Sequence, residues 1–508
     1  MPPTQSNFTQ IAQTICKRIS NVVSDSIFAL QLVYWPSREY TGIQHLPPEI
    51  LMEIFYFCLP SETFPEPPSM RALPLNVASV CRSWRRLALS LPKLWSRFKY
   101  SQDGCIRRVW DEYAYGTLGL WLERSRNRSL SLTLGNQYRE WMKAKKCEKM
   151  IKYEKEDSEL YKEMFRKVLD QQRRWRHIRI DYDFNDPENV LEMEMSHMPV
   201  LESLHVHLPV ETTAVIINVS RSPRLRSLEL SCAFTLTTGK GMLTNLERLH
   251  LDYGCRYLRA APLRVDDILM VIRKAPNLKE LSAVVCGGVR KDEAKAIKQI
   301  NLEALRKLAL SFPEGDCAAA KSLLDLFVLP SLRSLRIDLR GGGYQLGLPA
   351  LLTRSKASLK TFRIKTYAHP HDEILRCLRL SPDLVHLTIE TTGDPRNLIR
   401  ALTINPALFY TQPRSHSQNQ NQDEEQPRRN ICPKLETLQF CNNDMRFFFV
   451  EFADMIASRD RNVPSEGRKR LREVRMRQQD TWFMEQDEIV QKSIEKGLRL
   501  VAIDNWYR

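Results

Sequence analysis

One phrase, Pro-x-Leu-x-x-Leu-x-apolar, recurs along the chain from residue 175 onward and limits what the chain can fold into. Full copies are Pro199-Leu201-Leu204-Val206, Pro223-Leu225-Leu228-Leu230, Pro276-Leu278-Leu281-Ala283, Pro330-Leu332-Leu335-Ile337, Pro382-Leu384-Leu387-Ile389 and Pro433-Leu435-Leu438-Phe440. Copies without the proline are Leu246-Leu249-Leu251, Leu305-Leu308-Leu310 and Leu359-Phe362-Ile364. Weaker ones are Trp175-Ile178-Ile180, Leu471-Val474-Met476 and Leu498-Val501-Ile503. First positions at 175, 201, 225, 246, 278, 305, 332, 359 and 384 lie 21 to 32 residues apart. Alternate residues of a strand face one side, so the last two apolar positions of each copy point to one core. Helical patterns separate the copies: VDDILMVIRKA (265–275), AAAKSLLDLFVL (318–329), HDEILRCLRLS (371–381) and RNLIRALTI (396–404). Such crossovers return a chain to start the next parallel strand.

A period in the twenties carrying L-x-x-L-x-L is that of leucine-rich repeats. One unit cannot bury its apolar face alone, so neighbours stack. The expected fold is α/β: an irregular solenoid with parallel strands on its concave face and helices on its convex face. A doubly wound α/β domain also alternates strand and helix, but the repeated strand phrase speaks against it. The Asn or Cys ladder position of stricter repeats is missing, so the turns are expected to be irregular. RSHSQNQNQDEEQPRRN (414–430) is poor in apolar residues, which predicts a disordered insertion within 412–430. RFFFVEFADMIA (446–457) reads as a buried helix. The expected domains are a leader at 1–40, a helical domain at 41–100, a helical linker with a charged excursion at 101–172, and the repeats at 173–508.

The stretch 46–98 is organised differently. LPPEILMEIFYFCLP starts as a helix: Pro47 and Pro48 suit a first turn, and Glu49 complements the helix dipole. Ile50, Leu51, Ile54, Phe55 and Cys58 keep helical spacing. A Pro-rich loop (60–72) follows. A second run, Val77, Val80, Trp84, Leu87, Ala88 and Leu91, ends at Pro92, with Leu94, Trp95 and Phe98 beyond. Two short helices cannot bury all these groups against each other, so Trp84 and Trp95 suggest a surface completed by a partner.

The blocks LPPEILMEIF, VCRSWRRLAL and LPKLWSRF, in that order, resemble an F-box of the mushroom-type fungal family. The resemblance covers about 55 residues. It implies docking on the Skp-type linker subunit of a cullin–RING (SCF) ubiquitin ligase. Leu46, Pro47, Ile50, Leu51, Ile54 and Phe55 match the first docking helix. Val80, Cys81, Trp84, Leu94 and Trp95 match the later block.

Chemistry-bearing motifs are sparse. The 12 cysteines form no C-x-x-C pair, which points to a reducing compartment, cytoplasmic or nuclear. No apolar run is long enough for a membrane span. The leader, with Phe8, Ile11, Ile15 and Ile19 interrupted by polar residues, reads as an amphipathic helix and not a secretory signal. TTGKGM (237–242) has the wrong spacing for a phosphate loop, and GGGYQLG (341–347) reads as a turn between repeats. His205 with His207, and His369 with His371, lack a third ligand, so neither metal nor cofactor is expected. The formal charge of +16 gathers in runs at 143–146, 173–179 and 468–477. Such runs can meet phosphates, but no nucleic-acid motif accompanies them.

These observations, with the resemblance, imply a non-catalytic adaptor that joins a ligase through its F-box and holds a substrate protein on its repeats. The alternatives are a scaffold whose F-box joins no ligase, and a nucleic-acid-binding solenoid. The strand register sets Arg179, His205, His207, Glu229, His250, Asp252, Arg336, Asp338, Arg363, Lys365, Glu390, Arg475 and Arg477 on the expected concave face. Such a face would suit an acidic or phosphorylated partner segment.

Overall fold

The computed structural model describes residues 46–59, 74–102, 107–136, 163–181, 193–208, 214–252, 263–285, 299–313, 317–339, 346–366, 371–392, 394–404, 430–442, 445–460 and 469–503. The leader, the loop 60–72, most of the charged excursion, His369 and nearly all of the insertion lie outside them. The chain forms two compact units, Met1–Leu191 with Met195–Leu208, and Glu192–Glu194 with Pro209–Arg508.

Among the described residues, the first unit begins with helices α1 (Pro48–Phe57), α2 (Leu75–Ala78) and α3 (Arg82–Ser90). The second apolar run is thus two helices, not one. Cys81 breaks it: its backbone is extended, at φ −156° and ψ 171°, and its sulfur accepts the Trp84 N–H at 3.4 Å, capping α3. A 3-10 turn, Pro92–Trp95, leads into β1 (Arg97–Gln102), then α4 (Arg107–Arg124) and β2 (Leu130–Asn136). β3 (Trp175–Asp181) and β4 (Ser203–His207) follow. The strands pair parallel in the order β1-β2-β3-β4.

The compact units therefore do not part at residue 173, and 101–172 is more than a helical linker. β2 carries the strict alternation of SLSLTL and pairs with β1 and β3, so β1 and β2 precede the first copy of the phrase.

The second unit holds a short pair, β5 (Ala214–Asn218) with β7 (Ala233–Thr237), also parallel. Its main strands are β6 (Ser227–Ser231), β8 (Arg248–Asp252), β9 (Glu280–Val284), β10 (Lys307–Phe312), β11 (Ser334–Leu339) and β12 (Thr361–Thr366). They continue with β13 (His386–Thr391), β14 (Thr437–Asn442), β15 (Glu473–Arg477) and β16 (Arg499–Ile503). All pair parallel, each with the next in this order. Crossover helices α5 (Val265–Ile272), α6 (Cys317–Leu326), α7 (Leu348–Ser355), α8 (His371–Arg379) and α9 (Arg396–Leu402) lie between them in sequence. After β14 come α10 (Phe449–Asp460), α11 (Gln478–Glu485) and α12 (Glu488–Glu495).

The phrase explains its own geometry. In six copies the proline follows a residue whose carbonyl accepts the N–H of the phrase's first Leu. Ala275 O takes Leu278 N–H at 3.3 Å, Leu329 O takes Leu332 N–H at 3.2 Å, and Ser381 O takes Leu384 N–H at 3.2 Å. Proline at the second position of such a turn has its φ preset. The residue after that Leu then bonds back to the preceding copy: Lys279 N–H to Glu247 O, Arg306 to Lys279, Arg333 to Arg306 and Lys360 to Arg333, at 2.8–2.9 Å. Each strand so starts level with its neighbour. Its two inward positions are buried, from Leu228 and Leu230 on β6 to Val474 and Met476 on β15, none more than 2% exposed. The last copy is out of frame. Leu500, not Val501, lies opposite Val474, and Val501 faces Arg475.

The insertion's flanks are tied together. Arg459, 2% exposed, donates to Leu402 O at 2.8 Å, Ile431 O at 2.9 Å and Cys432 O at 3.0 Å.

Candidate functional site

The helical start of the first unit sorts its apolar residues into two sets. Leu51, Phe55, Trp84, Leu94 and Trp95 are buried within the unit. Phe55 meets Trp84 edge-on at 5.0 Å between ring centroids. Trp95 donates its Nε1–H to Ala88 O at 2.8 Å and packs edge-on against Trp121 at 4.7 Å, with the Arg124 guanidinium 4.5 Å from its ring. The expectation that Trp84 and Trp95 await a partner therefore fails. Trp121 on α4, beyond the helical stretch, supplies the missing apolar contact and also meets Phe98 at 5.6 Å.

The other set faces outward. Ile50 is 49% exposed and Val80 42%, Pro47 and Cys81 are exposed, and Leu46 and Ile54 are half-buried. To these the structure adds Phe57, 66% exposed, and Leu89. Ile50, Ile54 and Phe57 share one face of α1, at i, i+4 and i+7. Sequence reading passed over Phe57 because the buried stripe of Leu51, Phe55 and Cys58 absorbs the same spacing.

On the sheet, the alternation sets the candidate polar residues on the face opposite the apolar core. In the first unit Arg179 stands opposite His205, and Asp181 opposite His207. Arg179 pairs with Asp181 at 3.5 Å. Burial, ahead of other causes, pulls the neighbouring His177 below the usual imidazole range. In the second unit Glu229 faces His250, and Ser231 faces Asp252. Arg336 faces Arg363, while Asp338 faces Lys365 and Lys365 faces Glu390. Glu390 is buried, and its carboxylate accepts from Arg363 Nη2 at 2.9 Å and pairs with Lys365 Nζ at 3.3 Å. Arg475 pairs with Glu473 on its own strand, and Arg477 is half-buried.

Within the described parts of the basic runs at 173–179 and 468–477, several cations have partners; the run at 143–146 lies outside the described residues. Arg174 donates to Arg128 O at 3.0 Å and Ser125 Oγ at 2.6 Å, and Arg176 pairs with Glu202 at 3.0 Å. Lys469 pairs with Glu436, Arg470 with Asp460 at 2.6 Å, and Arg472 with Glu436 at 3.5 Å. Among the described residues no three of His, Cys, Asp and Glu gather as a metal-binding group, and no helix is long and apolar enough to cross a membrane.

Fold and faces define a mixed α/β protein, with a short helical module ahead of a large array of parallel strands. Residues 43–101 are an F-box-like domain by their match to that family. The chain is also similar to BTB/POZ domain-containing protein FBL11 of Arabidopsis thaliana, with 33% identity over 103 residues. That match covers 20% of this chain and 10% of FBL11, so the chain spans about a tenth of the length of that relative.

Proposed function

We propose that this chain is a substrate-recruiting adaptor of a cullin–RING ubiquitin ligase. Its F-box-like domain docks on a Skp-type linker subunit, and its strand array, read as leucine-rich repeats, holds a substrate protein. The observation that carries the reading is the F-box-like domain at 43–101 presenting an outward apolar face of Ile50, Ile54 and Phe57 while its interior is complete. Exposed apolar side chains grouped on one helix face mark an interaction surface. Leu46, Pro47, Val80 and Cys81 extend that surface. Leu51, Phe55, Trp84, Leu94 and Trp95 act from inside, fixing the helices that present it. Bond chemistry belongs to other subunits of the ligase, and the adaptor contributes proximity.

The test is co-purification with linker and cullin. Ile50→Glu with Val80→Glu should abolish it and leave the melting temperature within a few degrees, since both residues are surface-exposed. Trp95→Ala, by contrast, should destabilise the first unit by about 3–5 kcal/mol. Normal recovery of linker by the double variant sinks the docking face. No recovery by the unaltered chain favours a scaffold outside any ligase.

A further inference from the structure

The charges on β11, β12 and β13 are unequally matched. Three cations, Arg336, Arg363 and Lys365, share the polar face with two carboxylates, Asp338 and Glu390. Glu390 engages both Arg363 and Lys365, at 2.9 and 3.3 Å. Arg336 is exposed, and among the described residues no carboxylate comes within ion-pair distance of it. Asp338 lies two residues along the same strand, and its charge acts on Arg336 without an ion-pair contact. On the side away from Arg363, the facing positions are short: Ala309 opposite Arg336, Ser311 opposite Asp338, and Ser282 opposite Ala309. The guanidinium thus stands beside a low floor, open to an extended chain. Partial desolvation by its neighbours, then the Arg363 charge, lowers its pKa, and Asp338 and Glu390 oppose the shift. An arriving anion would relieve that repulsion.

We propose that Arg336 is the anchor by which the strand array binds an acidic segment of its partner protein, pairing with one Asp or Glu carboxylate. This rests on the adaptor reading for the partner's role, but not for the chemistry. The charge count selects the anion. One cation in excess matches one carboxylate, whereas a phosphate of nearly two charges would also meet Asp338 and Glu390. The planar guanidinium suits a carboxylate bidentately. Arg363 and Lys365, the basic pair between the two ends of the array, are occupied by Glu390 and serve as its supports.

The test uses the full chain and phage-displayed random peptides. Peptides selected on the unaltered chain should share an Asp or Glu. Synthetic copies should bind Arg336→Gln at least about tenfold more weakly, the scale of one lost charge-assisted hydrogen bond. Their Asn or Gln counterparts should lose as much on the unaltered chain. The melting temperature and linker co-purification of Arg336→Gln should be unchanged. Recovery of no acidic peptide, or equal binding by Arg336→Gln, overturns the proposal. Tighter binding of phosphoserine counterparts overturns the choice of carboxylate. Peptide binding that persists in a chain recovering no linker upholds the anchor and sinks the adaptor reading.

Discussion

Glu390 decides what the basic pair in the middle of the sheet, Arg363 and Lys365, can do. Its carboxylate is buried between Arg363 and Lys365, so their charges hold β12 to β13 before any partner arrives. Removing a buried pair's partner costs more than the pair's net contribution, because a charge is left without compensation. Arg363→Glu with Lys365→Glu would set two further carboxylates around Glu390. The expected outcome is destabilisation by about 3 kcal/mol or more, read as a lower urea midpoint. A pull-down with that variant would report unfolding and not recognition. If its midpoint matches the unaltered chain, the Glu390 pairs contribute nothing and both cations are available as readers. Arg336→Gln differs, since no ion pair within the described residues is broken.

Between the copies, the residues that open each strand form a second line of ion pairs. Glu247 meets Lys279 at 2.9 Å, Glu280 meets Lys307 at 2.8 Å, Asp383 meets Lys434 at 2.6 Å, and Glu436 meets Lys469. Hydrogen bonds from the partner lysines hold Glu247, Asp383 and Glu436 below the usual carboxylate range, and Ser358 adds to that of Asp383. A carboxylate whose folded pKa is depressed stabilises the fold above its unfolded value, and that contribution is lost as pH falls through the folded value. The stability these carboxylates supply should therefore be level between about pH 7 and 5 and fall below about pH 4, while His177, held below its ordinary range, adds a separate loss as pH falls through about 6.5, where the unfolded chain takes up a proton. Each exposed pair contributes little, so the line matters as a set. Lys434→Met with Lys469→Met should shrink the acid-induced drop, and an undiminished drop would show the line to be idle. These pairs were not legible in the sequence, because pairing across strands needs the register. The strands and crossover helices themselves were legible, since turn proline, first Leu and alternation agree in one phrase. β1 was not, because RFKYSQ lacks that phrase. The last copy misled, because Leu498-Val501-Ile503 mimics the spacing while pairing follows Leu500.

At the scale of the whole chain, the F-box-like helices and the first strands share an interior. The sequence motif ends near residue 100, but the packing it requires does not. Trp95 and Phe98 lie against Trp121, Trp121 donates its Nε1–H to Arg97 O at 3.0 Å, and β1 pairs along its length with β2. Ser131 N–H bonds Ser96 O at 2.9 Å, tying the end of the helical module to the second strand. This is why the F-box boundary read from the sequence is shorter than the unit that folds: a motif records the residues of the hairpin, not what covers its base. On the adaptor proposal the consequence is mechanical. The face proposed to meet the linker is carried on the same packed body as the first strands, so a partner held by those strands would have a fixed orientation to the linker. A fragment of residues 41–100 should accordingly fail to fold alone. It would expose the Trp95 and Phe98 rings and leave β1 without its neighbour, and chains of such length rarely bury enough core. A fragment of 41–208, which carries α4 and β1 to β4, should melt cooperatively, followed by tryptophan fluorescence and circular dichroism. Should 41–100 unfold at the same temperature as 41–208, Trp121 and β2 would be ornaments on a module that stands by itself, and the rigid link from docking face to sheet would be lost with them.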